Sequence, residues 1–173
     1  MDELLEYKNE LYSISNIDAD KNEIFPEESF FEHVSDMLSE AAILDDVQYC
    51  PYRNTYKGMR LDGYSWNALE KTICGIIVNF TNEPDHIDTL TNTEIKDISK
   101  KVTKFFEGSV DKKFIDNLEV TDPGRMAADE ISHYLEDAIK IRVVIFTDQQ
   151  LSTRVKKLAI EGILDKNTSI EIW

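Results

Sequence analysis

Asp62, in the segment MRLDGY, is a carboxylate set between Leu61 and Tyr64 in a stretch that otherwise reads as a half-buried strand. Carboxylates on two neighbouring antiparallel strands can hold Mg²⁺ against a phosphodiester. A lysine two residues beyond the second acid then helps the metal activate water. That spacing works because residues i and i+2 of a strand point the same way, so both reach one phosphate. A glutamate from the preceding helix often completes the metal shell. On this template Asp62 is the first acid, and Glu40, near the end of an amphipathic helix, is the helical glutamate; these two are the expected Mg²⁺ ligands. Asn79, closing the segment ICGIIVNF, stands where the second acid belongs, and Thr81 stands where the lysine belongs. Amides bind divalent metals weakly compared with carboxylates, so Asp62, Asn79 and Glu40 form an incomplete catalytic set. Lys57 or Lys71 would have to bring positive charge from elsewhere. A purely structural reading also exists: Asp62 caps a turn or bulge at Gly63, and Glu40 shares a solvated acidic face with Asp36.

A second segment spells the same motif in letters, Pro84-Asp85 followed by Glu94-Ile95-Lys96. Glu94 opens a helix, where residues two apart diverge by about 200°. Thr91 three residues earlier gives Glu94 a better role in a capping box. Other chemistries lack their residues. There is no GxGxxG and no Walker A lysine loop. His33, His86 and His133 are isolated, with no zinc spacing, and no GxSxG marks a serine nucleophile. Cys50 and Cys74 form no CxxC and are expected to be buried, reduced thiols.

The elements that must position Asp62 and Asn79 follow from periodicity. An acidic lead-in with Leu4, Leu5, Tyr7, Leu11 and Tyr12 predicts a short helix, broken by the polar run SNIDADKN. Pro26 opens a second helix with Glu27 and Glu28 at its positive end; Phe30, Phe31, Val34, Met37, Leu38 and Ala41 line one apolar face. Strands are predicted over Val47–Arg53, Met59–Trp66 and Thr72–Phe80. The second and third join through a turn at Asn67-Ala68, and the third is apolar on both faces and so central. Ile95, Ile98, Val102, Phe105 and Phe106 predict a helix after the capping box. Shorter helices follow at Lys112–Leu118 and Pro123–Ala138. IKIRVVIF reads as a buried strand reached by a crossover. Leu151–Val155 is expected to be a short helix, and the tail two strands around Asp165-Lys166-Asn167.

This order makes an α/β (α+β) fold with a mixed sheet: a three-strand antiparallel meander plus a crossover strand, with helices on both faces. It is the shared core of restriction-endonuclease-like nucleases. With no repeat, low-complexity tract or linker, residues 1–173 are expected to form one domain, residues 1–22 being an acidic helical lead-in. The last segment, SIEIW, stops within an apparent strand, which suggests the N-terminal portion of a longer protein.

Composition sets further limits. With 173 residues, 42% of them hydrophobic, the chain has enough apolar material for one core. It holds 19 Lys and Arg against 34 Asp and Glu, a net charge of −15. Residues 1–50 alone carry fourteen acids and two lysines, a charge of −12. A global basic footprint for nucleic acid is therefore missing. Local clusters remain at Arg53, Lys57, Arg60 and Lys71, and along Lys96, Lys100, Lys101 and Lys104. No run approaches the roughly 20 apolar residues of a membrane span, and MDELLEYKNE has neither region of a secretory signal. A cytoplasmic location and no membrane partner are the corresponding expectations, and an oligomer is possible through an apolar edge or face that a truncation would uncover.

Three stretches carry a resemblance: RLDGYSWNALEKTICGIIVNF, the helix start TLTNTEI, and IKIRVVIFTDQQLSTRV. Together they resemble the N-terminal domain of the abortive-infection phage-resistance (AIPR) family, over about Pro26 to Trp173. The resemblance implies a bacterial antiphage-defence factor, a restriction-endonuclease-like fold, an RNA or DNA substrate, and a C-terminal region as partner. It matches Asp62 to the family's DGY aspartate and Asn79 to the acid that usually closes the third strand. Two functions follow as expectations: Mg²⁺-dependent phosphodiester hydrolysis, or a catalytically inactive nuclease-like fold used for recognition or assembly.

Overall fold

The computed structural model describes residues 2–173. The chain begins with α1 (Glu3–Asn22) and α2 (Pro26–Glu40), followed by the meander β1 (Gln48–Asn54), β2 (Met59–Asn67) and β3 (Thr72–Asn79). A two-residue strand, β4 (Thr89–Leu90), precedes three helices: α3 (Asn92–Ser109), α4 (Lys112–Asn117) and α5 (Pro123–Asp137). The chain then enters β5 (Lys140–Thr147), β6 (Gln150–Leu151) and β7 (Asn167–Ile172). The main sheet runs β1-β2-β3-β5-β7, and β4 pairs with β6 apart from it. β1, β2 and β3 are antiparallel neighbours, whereas β5 lies parallel to both β3 and β7. This five-strand mixed sheet flanked by helices is compatible with a restriction-endonuclease-like core.

β3 is central because it is apolar all round: every residue from Thr72 to Val78 is buried. Ile73 and Ile77 join Val102, Phe105, Phe106 and Ile131 of α3 and α5 in one core layer. Cys74, Ile76 and Val78 join Phe30, Phe31, Val34 and Leu38 of α2 in the other. Two glycines set how closely the helices approach. A Cβ on Gly75 would collide with the Phe106 ring, and one on Gly63 with the Phe31 ring; glycine removes that obstacle at each face. Cys50 and Cys74 are both buried and unbridged, and burial pushes the Cys74 thiol up to about 11.

Most predicted elements are present close to their expected bounds, including the reciprocal capping box of Thr91 and Glu94. Three differ. α1 runs unbroken through SNIDADKN to Asn22, because the segment has no Gly or Pro and is held by tertiary contacts. Asn16 bonds Asn82 at 2.8 Å, and Ala19 is buried. The Leu151–Val155 region is no helix: Leu151 belongs to β6, and a turn follows, closed by Val155 N–H to Ser152 C=O. The tail holds a single strand, β7, preceded by an isolated bridge between Ile163 and Lys166. Among the described residues no helix is long and apolar enough to cross a membrane.

Candidate functional site

β2 and β3 pair regularly from Gly63 opposite Ile76 to Asn67 opposite Thr72. On the Met59 side of Gly63, side chains replace that ladder. Val78 N–H donates to Asp62 Oδ2 at 2.7 Å, and Arg60 Nη2 donates to the Val78 carbonyl at 2.9 Å. On the other edge of β2, β1 shifts register between Tyr49 and Tyr52, a segment that contains Pro51. Proline has no N–H for a ladder and is at home in such irregularities. Asp62 therefore sits where β2 loses regular pairing with both neighbours.

The Asp62 residue is only 2% exposed. Its charge is met by Arg60, whose Nη2 lies 2.9 Å from Asp62 Oδ2 and whose Nε donates to Oδ1 at 3.4 Å. Arg60 Nη2 also reaches Glu27 Oε1 at 2.8 Å, and Arg53 holds the other oxygen of Glu27 at 2.6 Å. Glu27 and Asp62 thus flank one guanidinium. Burial nevertheless raises the Asp62 pKa from the usual carboxylate range, outweighing Arg60 and the Val78 amide, which lower it.

The three sequence candidates are not gathered at one point. Asp62 has Arg60 and Val78 as partners. Asn79 turns to β5: its amide donates to Thr147 Oγ1 at 3.3 Å and to Gln149 Oε1. Glu40 ends α2 and is exposed. Since Glu27 in the first turn of α2 contacts Arg60, Glu40 stands about 20 Å of helix away from that contact. Helix α2 offers Glu27, not Glu40, to the Asp62 cluster. The i, i+2 rule on a strand could have flagged Arg60 beside Asp62, but no sequence signal marks Glu27.

Asn79 belongs instead to a second polar cluster beyond β3 and β5. Asp148 accepts from Thr81 N–H at 2.9 Å and from Thr81 Oγ1 at 2.6 Å. Lys8 of α1, itself buried, lies 3.7 Å from Asp148 and donates to the His86 carbonyl at 2.5 Å and to Thr81 Oγ1 at 3.3 Å. A small cavity of about 150 Å³ adjoins Lys8, Asp148 and Gln149. Each polar group here has a partner, so the cluster works as a clasp between α1 and the sheet.

Mg²⁺ does not fit the Asp62 cluster as it is arranged. Arg60 already supplies the positive charge there, and both Asp62 oxygens and both Glu27 oxygens are engaged. Among the described residues, no three His, Cys, Asp or Glu side chains converge in a way that could hold a metal ion. The chain matches the family model described as "Abortive infection phage resistance protein N-terminal domain" over residues 30–173. The chain belongs to this abortive infection phage resistance family. The matched span holds Arg60, Asp62, Asn79 and Asp148, while Glu27 and Lys8, which contact two of them, precede it. No curated protein and no solved structure matches the chain.

Proposed function

We propose that this domain serves its phage-resistance protein as a recognition or assembly module on a nuclease-like fold, with the Asp62 cluster in a structural role. The observation that carries this reading is the Arg60–Asp62 pair. A guanidinium sits where catalysis would need a metal, and Asp62 spends an oxygen on closing the gap to Val78. Removing Arg60 would leave the buried Asp62 carboxylate without its cation, which is strongly destabilising, whereas removing Asp62 would leave Arg60 with Glu27 alone. Asn79 and Thr81, with their own partners around β5, add support, since neither supplies a carboxylate or a lysine. The natural partner for such a module is the C-terminal region of the same protein.

One observation favours the second reading, Mg²⁺-dependent cleavage of RNA or DNA: Glu27 and Asp62 do converge, with Arg60 between them. A cleavage assay separates the two. The protein is incubated with single-stranded RNA, duplex DNA and supercoiled plasmid, each with Mg²⁺ or Mn²⁺. The module reading expects no cleavage above that of Asp62→Asn; turnover that Asp62→Asn abolishes would replace it with the nuclease reading.

A further inference from the structure

On the α5 side of the sheet, a cavity of about 460 Å³ opens among β1, β2 and α5, away from the Arg60 cluster. Its walls include Trp66 and Tyr134, whose rings stack at 4.9 Å between centroids and 13° between planes. Glu130 and Asp46 line the same cavity, with Tyr64 and Met126. Glu130 accepts a hydrogen bond from the Tyr64 hydroxyl, which fixes the carboxylate against the aromatic wall. Burial, and then Glu130 itself, push the Tyr64 phenol up, so the hydroxyl remains a donor at neutral pH. Neither Glu130 nor Asp46 has a Lys, Arg or His partner among the described residues. Glu27, Asp62, Asp148 and Glu171 all have one.

We propose that this cavity receives an arginine side chain from a basic segment of a protein partner. A planar guanidinium stacks on aromatic faces and is attracted by their quadrupole, so it would extend the Trp66–Tyr134 stack on an outer ring face that the partner ring does not cover. The free edge of the Glu130 carboxylate can pair with the guanidinium fork, and Asp46 adds a second acceptor. Met126, half exposed at the rim, offers apolar surface to the side chain's methylene stem. The volume lies in the range of ordinary ligand pockets and exceeds what a guanidinium alone would fill. Gln48 of β1, an edge strand of the sheet, also lines the cavity. A net charge of −15 steers basic segments towards the chain and repels polyanions. This site is independent of whether the Asp62 cluster cleaves phosphodiesters.

The sequence holds two tryptophans, Trp66 and Trp173, so Trp173→Phe leaves Trp66 as the only reporter. In that background, hexa-arginine amide is titrated while Trp66 emission is followed. A saturable change is expected, with hexa-lysine weaker and hexa-citrulline silent. Glu130→Gln with Asp46→Asn should weaken binding at least about tenfold. Asp116→Asn with Glu119→Gln removes the same charge from exposed positions elsewhere and should not. Tyr134→Leu, which breaks the stack while keeping both acids, should also weaken it, and thermal melts verify that each variant is folded. The proposal is overturned by an absence of saturation in the parent protein, or by equal weakening in the two double variants. Methylguanidinium binding as tightly as the peptide would assign the cavity to a free small cation, and displacement of the peptide by single-stranded RNA would assign it to a nucleic acid; either outcome also overturns it.

Discussion

Asp62 is spent on the backbone, and a carboxylate used that way has little left for chemistry. Its Oδ2 completes the β2–β3 contact at Val78 while Arg60 neutralises it. Asp62→Ala should therefore leave the Val78 N–H without an acceptor and Arg60 short of a partner. The expected cost is about 3 kcal/mol in urea unfolding. Asp62→Asn, which keeps an acceptor for Val78, should cost less. The raised pKa adds a pH signature with a definite sign. A carboxyl whose folded pKa exceeds its unfolded one binds protons more readily when folded, so its contribution to stability falls as pH rises through the folded value. The wild type should gain on Asp62→Asn as pH is lowered from 7 towards 3.8, read as the difference between their melting temperatures. A difference that grows in the opposite direction would mean that Arg60, not burial, dominates the titration.

At the scale of elements, the clasp between α1 and the sheet makes the clearest prediction. Lys8 is 5% exposed and reaches Thr81, His86 and Asp148. Lys8→Met keeps the stem but leaves Asp148 buried without its cation, which should destabilise by about 3 kcal/mol. α1 should become the first segment cleaved in limited proteolysis. If α1 keeps its protection, its docking rests on packing instead. The same helix shows why part of the fold was hard to read. Its polar second half has no local signal for continuing, and only contacts such as Asn16 with Asn82 hold it. β3, α3 and β5 were legible because their patterns are local: an unbroken apolar run, a capping box with a 3.6-residue period, and a second apolar run. β6 and the tail, short and partly exposed, are specified by pairing partners distant in sequence, which periodicity does not record.

Across the whole molecule, the antiparallel meander, the parallel crossover strand and the two core layers were legible in the apolar pattern, the place of β7 in the main sheet was not, and the family membership rests on the match over residues 30–173. The candidate site was legible only in part. Asp62 stands out as an acid in an apolar strand, but its meaning depends on Arg60 two residues away and on Glu27 from α2, which the fold alone brings near. Asn79 was grouped with Asp62 by motif spacing, whereas its partners come from the end of β5. The charge distribution agrees with a role in protein contacts: the acids concentrated in residues 1–50 oppose the approach of a polyanion from that side. The most direct measurement is isothermal titration of the wild-type protein with Mn²⁺, alongside Asp62→Asn. With Arg60 holding the Asp62 carboxylate, the titration should be flat for both; a saturable isotherm in the wild type that Asp62→Asn removes would contradict the account.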